Sequence, residues 1–231
     1  MKPDITSYNS LITAWGRSKE EGSPERAKGI LDEMIKMNSN GTHAVYPTAQ
    51  SFSIVIDAWA RSNNIYKARM ASSLLVEMEY YADEEKVKSL RPNVFVYATV
   101  LNACAQTFGN AEVKLEALNI AIETFQKLEV SSFTSPNHVA YAAFLKTCRK
   151  FMGKDDQRRI KLVERAVHKC IKDGQVGEYV LQQINLLHIP SFYSQIRNEF
   201  EPTNGPVTMQ DIPVAWSRNV KESRKKKLTS S

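Results

Sequence analysis

Residues 3–18 read PDITSYNSLITAWGRS, and residues 47–62 repeat the pattern as PTAQSFSIVIDAWARS. In both stretches a proline precedes a polar residue, and four residues after that polar residue an aromatic residue opens an apolar run. Related stretches begin at Pro92 and Pro136, so the four prolines are 44, 45 and 44 residues apart. A period of this length is typical of stacked helical repeats.

Each unit is predicted to contain two helices. The second half of the first unit has apolar residues at the spacing of an amphipathic helix, and the spacing recurs 44 residues later. These residues are Ala27, Ile30, Leu31 and Met34. Ser23 followed by Pro24 is a typical helix start. We therefore expect an all-α fold, a right-handed α-solenoid of about four stacked helix-turn-helix repeats with C-terminal capping helices.

The expected domain organisation follows the period. A repeat region covers residues 1–172, with units near 3–46, 47–91, 92–135 and 136–172. Capping helices cover 173–200, and a basic, mostly disordered tail covers 201–231. The apolar cluster 212–216 in that tail is a candidate to dock back on the helices. Because no capping unit precedes Pro3, we expect further repeats upstream, and the targeting segment to lie outside this sequence.

Composition narrows the class of protein. Hydrophobic residues make up 42% of the 231 residues, which is enough for a folded protein, and no stretch has the apolar length of a membrane span. The cysteines, Cys104, Cys148 and Cys170, are odd in number and lack metal-ligand spacing. We expect them in the core of an intracellular, reduced protein.

The net charge of +6 is concentrated at one end of the sequence. Residues 217–231 alone carry +5, which leaves +1 for the rest of the chain. The repeat region is thus expected to be nearly neutral overall. A basic tail of this kind is typically solvated, and phosphate contact or targeting is the alternative role.

The unit resembles the pentatricopeptide repeat of P-class proteins, on the Pro3-Asp4 start, the Tyr8-Asn9 pair, and Ala27 and Met34 of the second helix. The resemblance covers about residues 1–150. These units are longer than usual for the family, with the extra length mainly in 37–45 and 80–90, which we expect to form surface loops. Other helical repeats do not account for the Pro-Asp and Tyr-Asn pairs at this offset.

The resemblance implies binding of single-stranded RNA, one base per unit. It also implies a role in RNA processing, stability or translation in a mitochondrion or plastid, without catalysis, cofactor, membrane or small-molecule substrate. The implied base-reading pairs are Asn9 with Thr48, Ser53 with Asn93, and Ala98 with Asn137, while Ala142 has no clear partner. The implied base-flanking residues are Thr6, Gln50, Phe95 and Val139.

The chemistry of the implied readers is uneven. Asn9 and Ser53 can hydrogen-bond a base, and the Ser53-Asn93 pair resembles family pairs that favour adenine. Ala98 and Ala142 offer no donor or acceptor. At most two units are expected to read sequence, so binding by these units alone should be weak and of low specificity.

Two other interpretations remain open. Asp4, Thr48, Asn93 and Asn137 are all good helix-capping residues, and capping explains their chemistry as well as base reading does. A helical-repeat scaffold that binds other proteins is the alternative function. For catalysis the signals are weak: the four histidines are dispersed, and the Asp155-Asp156 pair is best explained by a helix start.

Overall fold

The computed structural model describes residues 3–18, 20–39, 45–83, 87–189, 192–194 and 205–220. These ranges contain helices and no strand, which confirms the all-α prediction. Among the described helices, none is long and apolar enough to cross a membrane.

The described helices have the following bounds: α1 Ile5–Arg17, α2 Ser23–Ser39, α3 Ala49–Arg61, α4 Lys67–Asp83, α5 Val94–Gln106, α6 Ala111–Val130, α7 His138–Phe151, α8 Gln157–Lys172, α9 Glu178–Leu187 and α10 Val214–Ser217. A short 3-10 helix at Lys88–Leu90 precedes α5. The predicted start at Ser23 is confirmed. The prediction of surface loops at 37–45 and 80–90 is wrong in part, because 37–39 belong to α2, 80–83 belong to α4 and 88–90 form the 3-10 helix. Residues 40–44 and 84–86 lie outside the described residues.

The helices pack in a regular order. Each of α1, α3, α5 and α7 packs on the helix that follows it, and also on the next odd-numbered helix along the chain, up to α9. A Cβ placed on Gly16 would lie 3.0 Å from the Cβ of Ala58, so the C-terminal halves of α1 and α3 are side by side. The Nζ of Lys150 donates to the carbonyl oxygen of Ala105 at 2.6 Å, which brings the C-terminal ends of α7 and α5 together. Neighbouring odd helices therefore run parallel.

Ion pairs connect consecutive even helices. They are Lys28–Glu77 at 3.2 Å, Arg69–Glu116 at 2.6 Å, Lys127–Glu79 at 2.7 Å and Arg165–Glu129 at 2.6 Å. They join α2 to α4, α4 to α6, and α6 to α8. Solvent-exposed ion pairs contribute about 0–1 kcal/mol each, and Arg69–Glu116 and Lys127–Glu79 are partly exposed pairs of this kind. In Arg165–Glu129 the glutamate is buried.

Apolar burial occurs between neighbouring units. The eighth residue after each repeat proline is apolar, and in the later units it is buried: Val55, Val100 and Phe144 are 0%, 0% and 2% exposed. Leu11 occupies the same place in α1 and is 49% exposed. The difference follows because no described helix precedes α1. Each later unit thus buries this position against its predecessor, as in other repeat proteins.

The C-terminal described segment returns to the last helices. The Val176 backbone N–H donates to the Trp216 carbonyl oxygen at 2.8 Å, and the Phe192 and Trp216 rings lie 5.6 Å apart. The docking suggested for the apolar cluster 212–216 is therefore confirmed. Residues 205–220, which belong to the segment predicted as a tail, are packed here, while 195–204 and 221–231 lie outside the described residues.

The position shared by Phe144 and Leu11 supplies a matched pair of substitutions. Phe144→Ala removes a buried ring stacked on Phe125 at 4.2 Å between centroids. It should lower the free energy of unfolding by about 3–5 kcal/mol. Leu11→Ala should change it by less than about 0.5 kcal/mol, since that side chain is half exposed. Urea unfolding followed by circular dichroism measures both, and equal losses would contradict burial between units.

Candidate nucleic-acid interface

The odd helices begin with capping residues at one edge of the molecule. The Oδ1 of Asp4 accepts from the Ser7 backbone N–H at 2.8 Å, and this bond is the main cause that lowers the pKa of Asp4. The Oδ1 of Asn93 accepts from the Phe95 and Val96 backbone N–H groups, at 3.0 and 3.2 Å. Capping is thus an actual role of these side chains.

The remaining two odd helices start in a similar way. The Oδ1 of Asn137 accepts from the Ala140 backbone N–H at 3.0 Å. Thr48 is the N-cap of α3, and its backbone N–H donates to the Oγ of Ser51 at 3.1 Å. For both asparagines the cap uses the side-chain oxygen, so the amide nitrogen is not part of the cap.

The predicted base-flanking residues form one exposed series, which we call the flanking row: Thr6, Gln50, Phe95 and Val139. Each lies three residues after its repeat proline, in the first turn of an odd helix, and all four are exposed. Because the odd helices pack side by side and in parallel, these residues follow one another along the same edge. Phe95 is 68% exposed and Val139 is 41% exposed, so this edge presents apolar surface to solvent.

The predicted reader residues lie deeper, in what we call the reader row: Asn9, Ser53, Ala98 and Ala142. Asn9 and Ser53 are half-buried, while Ala98 and Ala142 are 5% and 9% exposed. The Oδ1 of Asn9 is buried and has no hydrogen-bond partner. A base could reach that oxygen only after the side chain rotates. Sequence reasoning missed this depth, although four small side chains at one repeat position are the signal of close helix packing.

The aromatic residues of the first helices, Tyr8, Phe52, Tyr97 and Tyr141, pack between helices. Phe52 is fully buried, and the hydroxyls of the three tyrosines contact even helices. These contacts are Tyr8 to the Sδ of Met37 at 3.5 Å, Tyr97 to Glu79 at 3.3 Å and Tyr141 to Asp173 at 2.8 Å. Burial is the main cause that raises the pKa of Tyr97 to about 12, with Glu79 adding to it. The aromatic rings therefore hold the two helix layers together and do not face the flanking row.

The cysteines and acidic residues show ordinary structural roles. Cys104, Cys148 and Cys170 are buried, and burial raises the pKa of each thiol, to about 12 for Cys148. Asp156 caps α8 by accepting from the Arg158 backbone N–H at 2.8 Å. Within the described part of the chain, no group of three His, Cys, Asp or Glu residues is arranged to hold a metal ion.

Comparisons with known proteins identify no relative: no protein-family model, curated protein or solved structure matches this chain. The geometry of the described residues therefore carries the functional argument.

Asn93 allows capping to be measured apart from any other role. Asn93→Ala removes the oxygen that accepts from the first turn of α5 and should lower the free energy of unfolding by about 1 kcal/mol. Asn93→Asp keeps an oxygen in that place and should leave the free energy within about 0.5 kcal/mol of the parent, since Asn and Asp cap about equally well. Thermal and urea unfolding compare the three proteins. An Asp variant as unstable as the Ala variant would rule out capping through Oδ1.

Proposed function

We propose that this chain binds single-stranded RNA along the edge where the odd helices begin, and that its helix pairs form a right-handed α-solenoid of the pentatricopeptide type. The observation that carries the proposal is the flanking row, with one exposed side chain per unit. Two of its members, Phe95 and Val139, are apolar yet exposed on adjacent helices. In this proposal the protein acts in RNA processing, stability or translation in a mitochondrion or plastid, without catalysis.

The flanking row offers contacts that suit unpaired bases. An aromatic ring such as Phe95 can stack on a base of any sequence, a contact worth about 1–3 kcal/mol. Val139 adds apolar contact, while Thr6 and Gln50 supply hydrogen-bonding groups in the first two units. Such a surface binds bases with little sequence preference.

We call the reader residue of one unit together with the capping residue of the next unit a junction. Base reading is proposed at two junctions only. The first pairs Asn9 with Thr48, and the second pairs Ser53 with Asn93, whose amide nitrogen the cap does not use. At the third junction Ala98 offers no polar side-chain atom beside Asn137. The expected result is modest affinity, with the strongest base preference in the second unit.

The second candidate function is a protein-binding scaffold. The same exposed Phe95 and Val139 fit an apolar peptide side chain as well as a base, and the repeat face of a helical protein can serve either ligand. Salt separates the two, since RNA affinity falls with added salt through counterion release. A full chain that binds no RNA oligonucleotide at low salt but recovers a defined protein partner would favour the scaffold.

Phe95 tests the flanking row directly. Phe95→Ala should weaken binding to single-stranded RNA by about 5-fold to 150-fold, which corresponds to the loss of about 1–3 kcal/mol of stacking. Fluorescence anisotropy with labelled homopolymeric RNA measures the change. Phe108→Ala is the control: Phe108 is also exposed, but it follows the opposite end of α5. Equal effects of the two variants would remove the flanking row from the interface.

Base preference tests the second junction. Ser53→Ala and Asn93→Asp should each reduce the ratio of affinities for adenine over the other homopolymers, because each changes the donors and acceptors offered to a base edge. Asn93→Asp preserves the cap, so a loss of preference in that variant is not a loss of folding. Unchanged ratios in both variants would refute the assignment of these readers.

A further inference from the structure

Among the described helices, α8 has the largest excess of basic charge, and α7 follows with three basic residues and no acidic residue. Of its 16 residues, α8 has six Lys or Arg and one Glu. The other even helices have three basic and three acidic residues in α2, two and three in α4, and two and four in α6. These four helices occupy the same place in their units, so the position in the fold does not require a cationic helix.

Four of the six basic residues of α8 lie on the side that faces solvent, whereas Arg159 is buried and Lys169 pairs with Asp173. The residues that α8 buries include Val163, Ala166, Val167 and Cys170. The opposite side presents Arg158, Lys161, Arg165, His168 and Lys172, all exposed, which we call the α8 basic face. Successive members are three or four residues apart, which aligns them along one side of a helix. With a rise of about 1.5 Å per residue, this face is about 21 Å long.

Most of these charges have no acidic partner. Arg165 pairs with Glu129 at 2.6 Å. Within the described ranges no ion pair involves Arg158, Lys161 or Lys172. These three cations therefore have no ion-pair partner among the described residues, and a polyanion would supply one.

We propose that the α8 basic face binds the phosphodiester backbone of a nucleic acid, without regard to base sequence. Charge complementarity selects this ligand, because a row of cations along one helix face matches a linear polyanion. A membrane surface fits less well. The apolar side of α8 is buried, and Ile160, 38% exposed, is the exposed large apolar residue of this helix, so little is available to insert.

The first basic residue of the tail lies at the C-terminal end of α8. The guanidinium of Arg218 donates to the Lys172 carbonyl oxygen at 2.6 Å, and the Asn219 side chain donates to the Asp173 carbonyl oxygen at 2.9 Å. Arg218 and Asn219 therefore lie next to the C-terminal end of the α8 basic face.

This site is independent of base reading. The α8 basic face belongs to an even helix, whereas the flanking row belongs to the first turns of the odd helices. RNA and single-stranded DNA of the same sequence should bind the α8 basic face alike, since both carry the same phosphodiester charge.

The test uses the full chain and a triple variant, Arg158→Gln with Lys161→Gln and Lys172→Gln. Glutamine is a good helix former, so α8 should remain intact. Binding to labelled single-stranded RNA and DNA is measured across a series of KCl concentrations. Removing three phosphate contacts should reduce the slope of log affinity against log salt by about 2 and weaken both ligands about tenfold at low salt.

A matched control removes the same charge elsewhere. Arg17→Gln, Lys36→Gln and Lys114→Gln change three exposed basic residues outside α8 and should alter affinity by less than about twofold. A second measurement needs no variant: bound oligonucleotide should protect Lys161 and Lys172 of the parent chain from acetylation, and leave Lys36 and Lys114 reactive. Mass spectrometry reads both sets.

The outcomes separate the proposals. Equal losses in the α8 triple variant and its control, with no lysine protection, mean that the α8 basic face is only a solvated surface and overturn this inference. Binding to anionic lipid vesicles but to neither oligonucleotide also overturns it, in favour of a membrane surface. If the α8 effects persist while Phe95→Ala and Asn93→Asp have none, the α8 site stands and the base-reading function fails.

Discussion

The fold depends on the burial of one apolar position per unit against the preceding unit. Val55, Val100 and Phe144 fill that position, and each is closed off from water by the unit before it. Because this burial joins neighbours and not distant parts of the chain, stability in such a fold is approximately a sum over units and their interfaces. The ion pairs between even helices follow the same neighbour-to-neighbour order, and they reinforce an alignment that the apolar contacts already determine.

Because of this burial, different surfaces of the molecule have different roles. Side chains in the interior of the odd helices are committed to packing, which leaves the first turns of those helices as the place where side chain identity is free to vary. Residue type varies in the flanking row, which has a polar residue in each of the first two units and an apolar residue in each of the next two. Residue type varies less in the reader row, because close helix packing restricts that position to small side chains.

Much of the architecture was predictable from the sequence because the repeat period determines both where helices start and which way their side chains point. The proline, the capping residue and the aromatic residue recur at constant offsets, so the starts of α1, α3, α5 and α7 and the inward direction of Tyr97 and Tyr141 could be inferred. The depth of Asn9 and Ala98 could not, since depth depends on how closely two helices approach. The packing of 205–220 was also only partly predictable, because a short apolar cluster does not specify its docking site.

The location of the basic charge could not be predicted from the net charge of the sequence. Counting charge for the whole repeat region gives a nearly neutral surface, and that average conceals the opposite signs of its parts. A count for each helix finds the excess in α8, and only the structure shows that Arg158, Lys161 and Lys172 face away from the core. Charge per element, combined with orientation, is therefore a better guide to polyanion contact than net charge.

The uneven burial along the chain has a consequence for motion. Helix α1 buries one residue, Ile12, whereas α3 buries seven. Within the described residues, detaching α1 therefore exposes less buried surface than detaching α3, and amide hydrogens of α1 are expected to exchange with solvent through such local opening. Thr6 and Asn9 are carried by this sparsely buried helix. A ligand that engages them must also supply the free energy that keeps α1 docked, which lowers the apparent affinity at that end relative to the units behind it.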